Sequence, residues 1–110
     1  MRSIYKQLRL FVMFDMPMDT PECRKDYTRF RRFLLKDGFL MLQFSVYTRF
    51  CHNLSDCEKH IVRVKKHTPK IGDIRILKTT ESQYENMIIL TEGRTFLDTL
   101  DLSSDTIVIE

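Results

Sequence analysis

The chain has 110 residues, 43% of them hydrophobic and 30% charged, with a formal net charge of +3. That length holds one domain with a modest core, the composition is ordinary for a globular protein, and no apolar run approaches the roughly 20 residues of a membrane helix. Charge is split unevenly: residues 1–80 carry 17 Lys/Arg against 8 Asp/Glu, a net of +9, while residues 81–110 carry Arg94 against seven acids, a net of −6. Such a split suits a basic body that meets a polyanion and an acidic end that meets something else. Three cysteines without a framework spacing read as reduced thiols, and the start of the chain lacks the apolar core of a signal peptide. Both point to a cytoplasmic protein.

In chain order, Leu8 to Phe14 is a strongly apolar run that stops on Asp15 and is closed by Pro17. At period two, Leu8, Leu10, Val12 and Phe14 share one face, and Arg9, Phe11, Met13 and Asp15 share the other. Both faces are largely apolar, which predicts an interior strand with a carboxylate at its C-terminal end. Thr20-Pro21-Glu22 then reads as N-cap, N1 proline and acidic first turn of a helix over about 21–36, with Gly38 just past its end. Cys23, Tyr27, Phe30 and Leu34 form its apolar stripe. Lys25, Arg29, Arg32 and Lys36 repeat at the same spacing on the opposite side, flanked by Arg24 and Arg31. Acids at i+4 would normally accompany a merely solvated face. Here only Asp26 and Asp37 lie nearby, so the six cations read as a phosphate-backbone surface. Tyr27, Phe30 and Phe33, at helical spacing, read as core rather than as a base-stacking platform.

Residues 39–51 are rich in β-formers, but 13 residues is long for one strand, so a break near Gln43 is expected. Alternation puts Leu40, Leu42, Phe44, Val46 and Phe50 on an apolar face, and Phe39, Met41, Gln43, Ser45, Tyr47 and Arg49 on a mixed one. The mixed face is expected to join the Asp15 face of the first strand and to be covered by a second copy. Ser55-Asp56-Cys57-Glu58 reads as a capping-box start for a second helix ending near Lys66, with Cys57, Ile61 and Val64 buried. Cys51, His52, Cys57 and His60 lie within ten residues of one another and invite a zinc site. Their faces diverge, however, and two buried thiols with two surface imidazoles are expected instead. Residues 74–79 and 87–90 read as strands, and Ile107, Val108 and Ile109 as a terminal edge or exchanged strand for partner docking.

Strand, helix, bent strand, helix, strand gives β-α-β-β-α-β, a ferredoxin-like α+β sandwich with additional C-terminal strands. Residues 1–80 form its core and 81–110 an acidic extension of the same domain. Asp15, at the end of the first strand, is either a turn-former or a site residue, and its face adds the hydroxyls of Ser45 and Tyr47.

Phe14-Asp15-Met16-Pro17, Asp19-Thr20, the run from Phe33 to Phe39 and Gln43-Phe44-Ser45-Val46-Tyr47 resemble the small adaptation subunit of CRISPR systems. That is CRISPR-associated family two, and the match is to members found beside a single-protein effector (type II). It covers residues 8–79 well and 80–110 loosely. The resemblance implies a ferredoxin-like homodimer that bridges two integrase dimers and holds a double-stranded DNA prespacer for insertion. It also implies a magnesium-dependent endonuclease with Asp15 as its catalytic and metal-binding residue and Asp19, four residues on, as helper. Two Asp15 residues meeting across a two-fold axis would then share one hard divalent cation, which needs oxygen donors. Membranes and small-molecule substrates are not expected partners. The alternative is a toxin-like endoribonuclease acting on single-stranded RNA.

Overall fold

The computed structural model describes residues 6–93. The expected strand at Ile107, Val108 and Ile109 lies outside that range. Within it run β1 (Leu8–Asp15), α1 (Pro21–Lys36), β2 (Leu40–Gln43), β3 (Val46–Cys51), α2 (Leu54–His67), β4 (Asp73–Thr80) and α3 (Glu81–Glu85). The four strands make one antiparallel sheet in the order β2-β3-β1-β4, so β1 is interior and β4 is an edge. This is the α+β, ferredoxin-like arrangement that the element order predicts.

α1 starts where its capping chemistry puts it: the Thr20 hydroxyl accepts from the Cys23 N–H at 3.1 Å, and Pro21 occupies the first turn. It ends at Asp37, and Gly38 follows at φ +93. A Cβ there would come within 3.1–3.2 Å of the Arg49 guanidinium, so the position favours glycine twice over. α2 is capped two residues earlier than Ser55 suggests. The Asn53 side chain accepts from the Asp56 N–H at 2.8 Å, because an Asn reaches the N3 amide as well as a Ser does.

Leu10, Val12 and Phe14 of β1 pack under α1 and α2 with Phe30, Leu34, Phe39, Tyr47, Cys51, Cys57 and Val64. Phe14 is the aromatic hub, stacked on Tyr47 (5.6 Å between centroids), edge-on to Phe30 (5.2 Å) and tilted against Tyr27 (6.0 Å). Tyr47 therefore belongs to the core and not to the Asp15 face. Val12 pairs with Tyr47, and Met13 with Val46, which sends Tyr47, Arg49 and Cys51 under the helices and Val46, Thr48 and Phe50 to the opposite side. The reason is the β1–β3 register, because alternation sorts residues into two faces without saying which of them the helices cover. Met41 pairs with Tyr47 and Leu40 with Thr48, so the two faces stay as alternation sorts them, apart from Gln43, which the register shift sets opposite Val46. The face of Phe39 and Tyr47 meets the helices, however, and not the Asp15 side. Leu40 and Phe44, expected to be buried, are 70% and 81% exposed.

Residues 87–90 are not a strand. Thr80 and Gln83 form a capping box that starts α3, which folds the chain back across the sheet instead of along its edge. α3 lies on the face away from α1 and α2. Arg9 makes a paired contact with Glu81 (2.7 and 3.0 Å) and lies 4.0 Å over the Tyr84 ring, while Phe11 meets Tyr84 at 5.7 Å. The chain thus covers part of the sheet face that was expected to be open.

Candidate functional site

Two places concentrate polar chemistry beyond what packing needs. The first is the rim of the sheet where β1 ends. Asp15 is exposed, and its neighbours line a cleft of about 380 Å³: Met13, Phe44, Ser45, Val46, Asp73 and Arg75. Met13 and Asp15 point to the same side as Arg75 and Asp73, their partners in the β1–β4 register. The Ser45 carbonyl accepts from the Phe14 N–H at 3.1 Å, which fixes the β2–β3 corner against the end of β1. Gly72, at φ +120, packs so closely that a Cβ would lie 3.0 Å from the Asp15 carbonyl oxygen. Asp19, the expected helper, is in the bend before α1 and does not line the cleft. Tyr47 is absent from it too, since it points into the core.

Sequence reasoning missed Asp73 and Arg75. Asp73 reads from the sequence only as part of the turn into a strand, and Arg75 only as a residue of the strand over 74–79. The available signal was topological: in β-α-β-β-α-β the last strand runs antiparallel to the first, so its first residue faces the first strand's last.

The second place is the outer surface of α1. Arg24, Lys25, Arg29 and Arg32 surround a shallow depression of about 580 Å³ with Pro21 and Thr28. All four cations are exposed. Arg24 donates to the Met18 carbonyl at 2.9 Å, and Arg29 makes an exposed contact with Asp26 at 3.2 Å, a pair worth little in water. Arg31 and Lys36 do not line this depression. The Arg31 charge instead faces the Tyr47 hydroxyl, whose pKa burial raises and Arg31 opposes. That buried hydroxyl has no hydrogen bond among the described residues.

A buried polar cluster joins the ends of α1 and α2. Asp37 accepts from Arg63 at 2.9 Å and lies 2.7 Å from His60 Nδ1, while His60 Nε2 faces Asp56 at 3.4 Å without a hydrogen bond. His60 is 1% exposed, so it is not the surface imidazole expected from its place on the helix. Its partner, Asp37, comes from another element, which helical periodicity alone cannot reveal. Burial pushes the Asp56 carboxyl up, but the His52 N–H, Lys59 and His60 outweigh it and hold the group below its ordinary value. Burial also pushes the Cys51 thiol to about 12 and raises Cys57, so both are inert thiols. Among the described residues no group of three or more His, Cys, Asp or Glu is placed to hold a metal. No described helix is long and apolar enough to cross a membrane.

Comparison with known proteins is consistent across methods of matching. The family model described as CRISPR associated protein Cas2 matches residues 8–87. A protein of Streptococcus mutans serotype c named CRISPR-associated endoribonuclease Cas2 is 46% identical over 99 residues, covering 90% of this chain and 88% of that protein. Proteins of the same name are 45% identical in Parvibaculum lavamentivorans, over 68% of this chain and 74% of that protein. In Ligilactobacillus salivarius the figure is 36%, over 93% of this chain and all of that protein.

Proposed function

The chain belongs to the CRISPR-associated Cas2 family, and from that premise we propose that it is a CRISPR adaptation subunit. In this reading it dimerises, binds duplex DNA and scaffolds the integrase that inserts new spacers. The observation that carries the reading is the α1 surface, where Arg24, Lys25, Arg29 and Arg32 present four exposed cations around one depression. Phosphates spaced along a duplex favour such a row, and binding to it falls steeply with salt because counterions are released. Two copies of the chain double the row.

The sheet face supports the dimer. α3 shields the Arg9–Phe11 half, leaving the Asp15 half together with exposed Leu40, Phe44 and Leu77 for a second copy. The acidic end of the chain, including Ile107, Val108 and Ile109, is the proposed contact for the integrase. The deciding experiment weighs the complex formed with the cognate integrase and a short duplex, with and without magnesium. A mass of two copies of this chain, integrase subunits and one duplex supports the reading. A monomer indifferent to duplex at low salt refutes it.

A second reading is favoured by the Asp15 cleft and by the relatives' name. In it the chain is a magnesium-dependent endoribonuclease acting on single-stranded RNA. The donors fit the metal: Asp15 is an exposed hard-oxygen ligand, and Mg2+ is commonly held by one or two carboxylates while retaining several waters. When bound, such an ion neutralises phosphate charge. The chain's own part is to present Asp15 at the rim, with Arg75 in the same cleft to engage a phosphate. Asp15→Ala separates the readings. Spacer capture survives it if the chain is only a scaffold, and RNA cleavage is lost if the site is catalytic.

A further inference from the structure

We propose that the seam between α1 and α2, where Phe33 and His67 stack, is a seat for one unpaired nucleotide of a single-stranded nucleic acid. The inference rests on the reading of α1 as a nucleic-acid surface, and it extends that surface to α2 with a different chemistry.

The seam joins two helices that are already tied together where Asp37 meets His60 and Arg63. Phe33 reaches the last residue of α2, and its ring lies on that of His67 with 3.9 Å between centroids and 11° between planes. The other aromatics of the same helix turn inward: Phe30 is buried, and Tyr27 packs on Phe14. His67 Nδ1 lies 2.9 Å from the Arg63 carbonyl oxygen. A carbonyl only accepts, so Nδ1 carries the proton and the ring is held in one orientation. Phe33 is half-buried and covers one face of the imidazole, yet His67 is exposed. The exposure is therefore that of the opposite face and of the Nε2 edge. A fixed, flat π surface open to water can take a base in stack.

The charge around the stack fits a strand of phosphates. Arg29 and Lys36 lie one turn to either side of Phe33, Arg63 lies one turn before His67, and Lys66 and Lys70 are close by in sequence. All five are exposed. No acid occurs from Lys59 to Gly72. On α1, Asp37 is tied to Arg63 and nearly buried, and Asp26 makes only an exposed pair with Arg29. The helix dipole accounts for cations in the last turn of α2. It does not account for an imidazole laid flat and open to water among them. In a duplex the bases stack on one another and offer faces only at the ends. The seam thus selects unpaired nucleotides, while the α1 row takes phosphates of either form.

The test is fluorescence anisotropy of labelled oligo(dT), oligo(U) and a blunt duplex of equal length, each titrated at low salt with the full-length protein. His67→Ala should weaken single-strand binding at least about fivefold, the low end of what one base stack contributes, and leave duplex binding unchanged. His67→Tyr keeps an aromatic face and should bind like wild type, whereas His67→Gln keeps a polar edge without the ring and should bind like His67→Ala. Whichever oligomer loses more tells whether the strand is DNA or RNA, and equal losses show a seat indifferent to the sugar. If His67→Gln binds single strands like wild type, or loses duplex and single strands equally, the seat is overturned while the α1 surface stands. Wild type that binds duplex and neither oligomer has the same meaning. If wild type binds none of the three, the nucleic-acid reading falls and the seat falls with it.

Discussion

The two faces of the sheet use the same strands for opposite purposes. Under α1 and α2, Leu10, Val12, Phe14 and Tyr47 are almost fully buried, and the polar groups admitted there are tied down, as in the Asp37–His60–Arg63 cluster. On the other face α3 covers only part of the surface, and Asp15, Asp73, Arg75, Leu40 and Phe44 remain in water. The comparison teaches that the dry face determines whether the chain folds. The wet face keeps unpaired groups available, and so it can bind.

The comparison breaks most visibly at Phe14. Phe14→Ala removes the hub of four aromatic rings and should destabilise the chain by about 3–5 kcal/mol, measured by urea unfolding; a loss under 1 kcal/mol would show that the helix-covered face does not govern stability. Asp37→Asn should lower stability by roughly 2 kcal/mol, because His60 and Arg63 lose the charge they bond. If that variant unfolds at the wild-type urea midpoint, the buried cluster is not structural. Arg29→Glu with Arg32→Glu leaves the fold alone and should weaken duplex binding at least tenfold at low salt. The slope of log affinity against log salt should also fall by about 2, one per phosphate contact. Unchanged binding in a fluorescence-anisotropy titration would move the nucleic-acid surface elsewhere. Arg9→Ala sharpens the contrast between the faces, since it frees Glu81 and Tyr84 and should cost α3 about 1 kcal/mol. Faster amide exchange confined to residues 81–86 is the expected sign.

The smallest effect concerns acid. Asp56 is held below its ordinary value in the folded chain, so it adds stability above the unfolded carboxylate pKa of about 4 and loses it as pH falls through the folded value. Asp56→Asn should therefore show a shallower decline in stability between neutral and acidic pH than wild type. An identical slope would remove Asp56 from the account.

Much of the fold was legible in local chemistry. Thr20-Pro21 and Gly38 bracket α1 where the structure has it, the break near Gln43 is real, and Cys57, Ile61 and Val64 face inward on α2. These follow from caps, periodicity and backbone preference, which act over a few residues. The errors have a common origin. Tyr47 lies under the helices because it pairs with Val12, and a period of two sorts residues into faces without signalling which face the helices cover. His60 looked like surface until Asp37, 23 residues away, supplied its partner. Residues 87–90 read as a strand because they are apolar, although a strand needs an edge to pair with, and the capping box at Thr80 had already turned the chain aside.

By itself the sequence determined the order and type of the main elements, the row of cations on α1 and the acid that ends the first strand. Only the tertiary structure decided which residues face one another: Asp15 with Asp73, His60 with Asp37 and Phe11 with Tyr84. Local preferences are fixed by neighbours along the chain. Pairing across strands and helices depends on loop closure and register, and a single turn residue can change those without altering the pattern on either side.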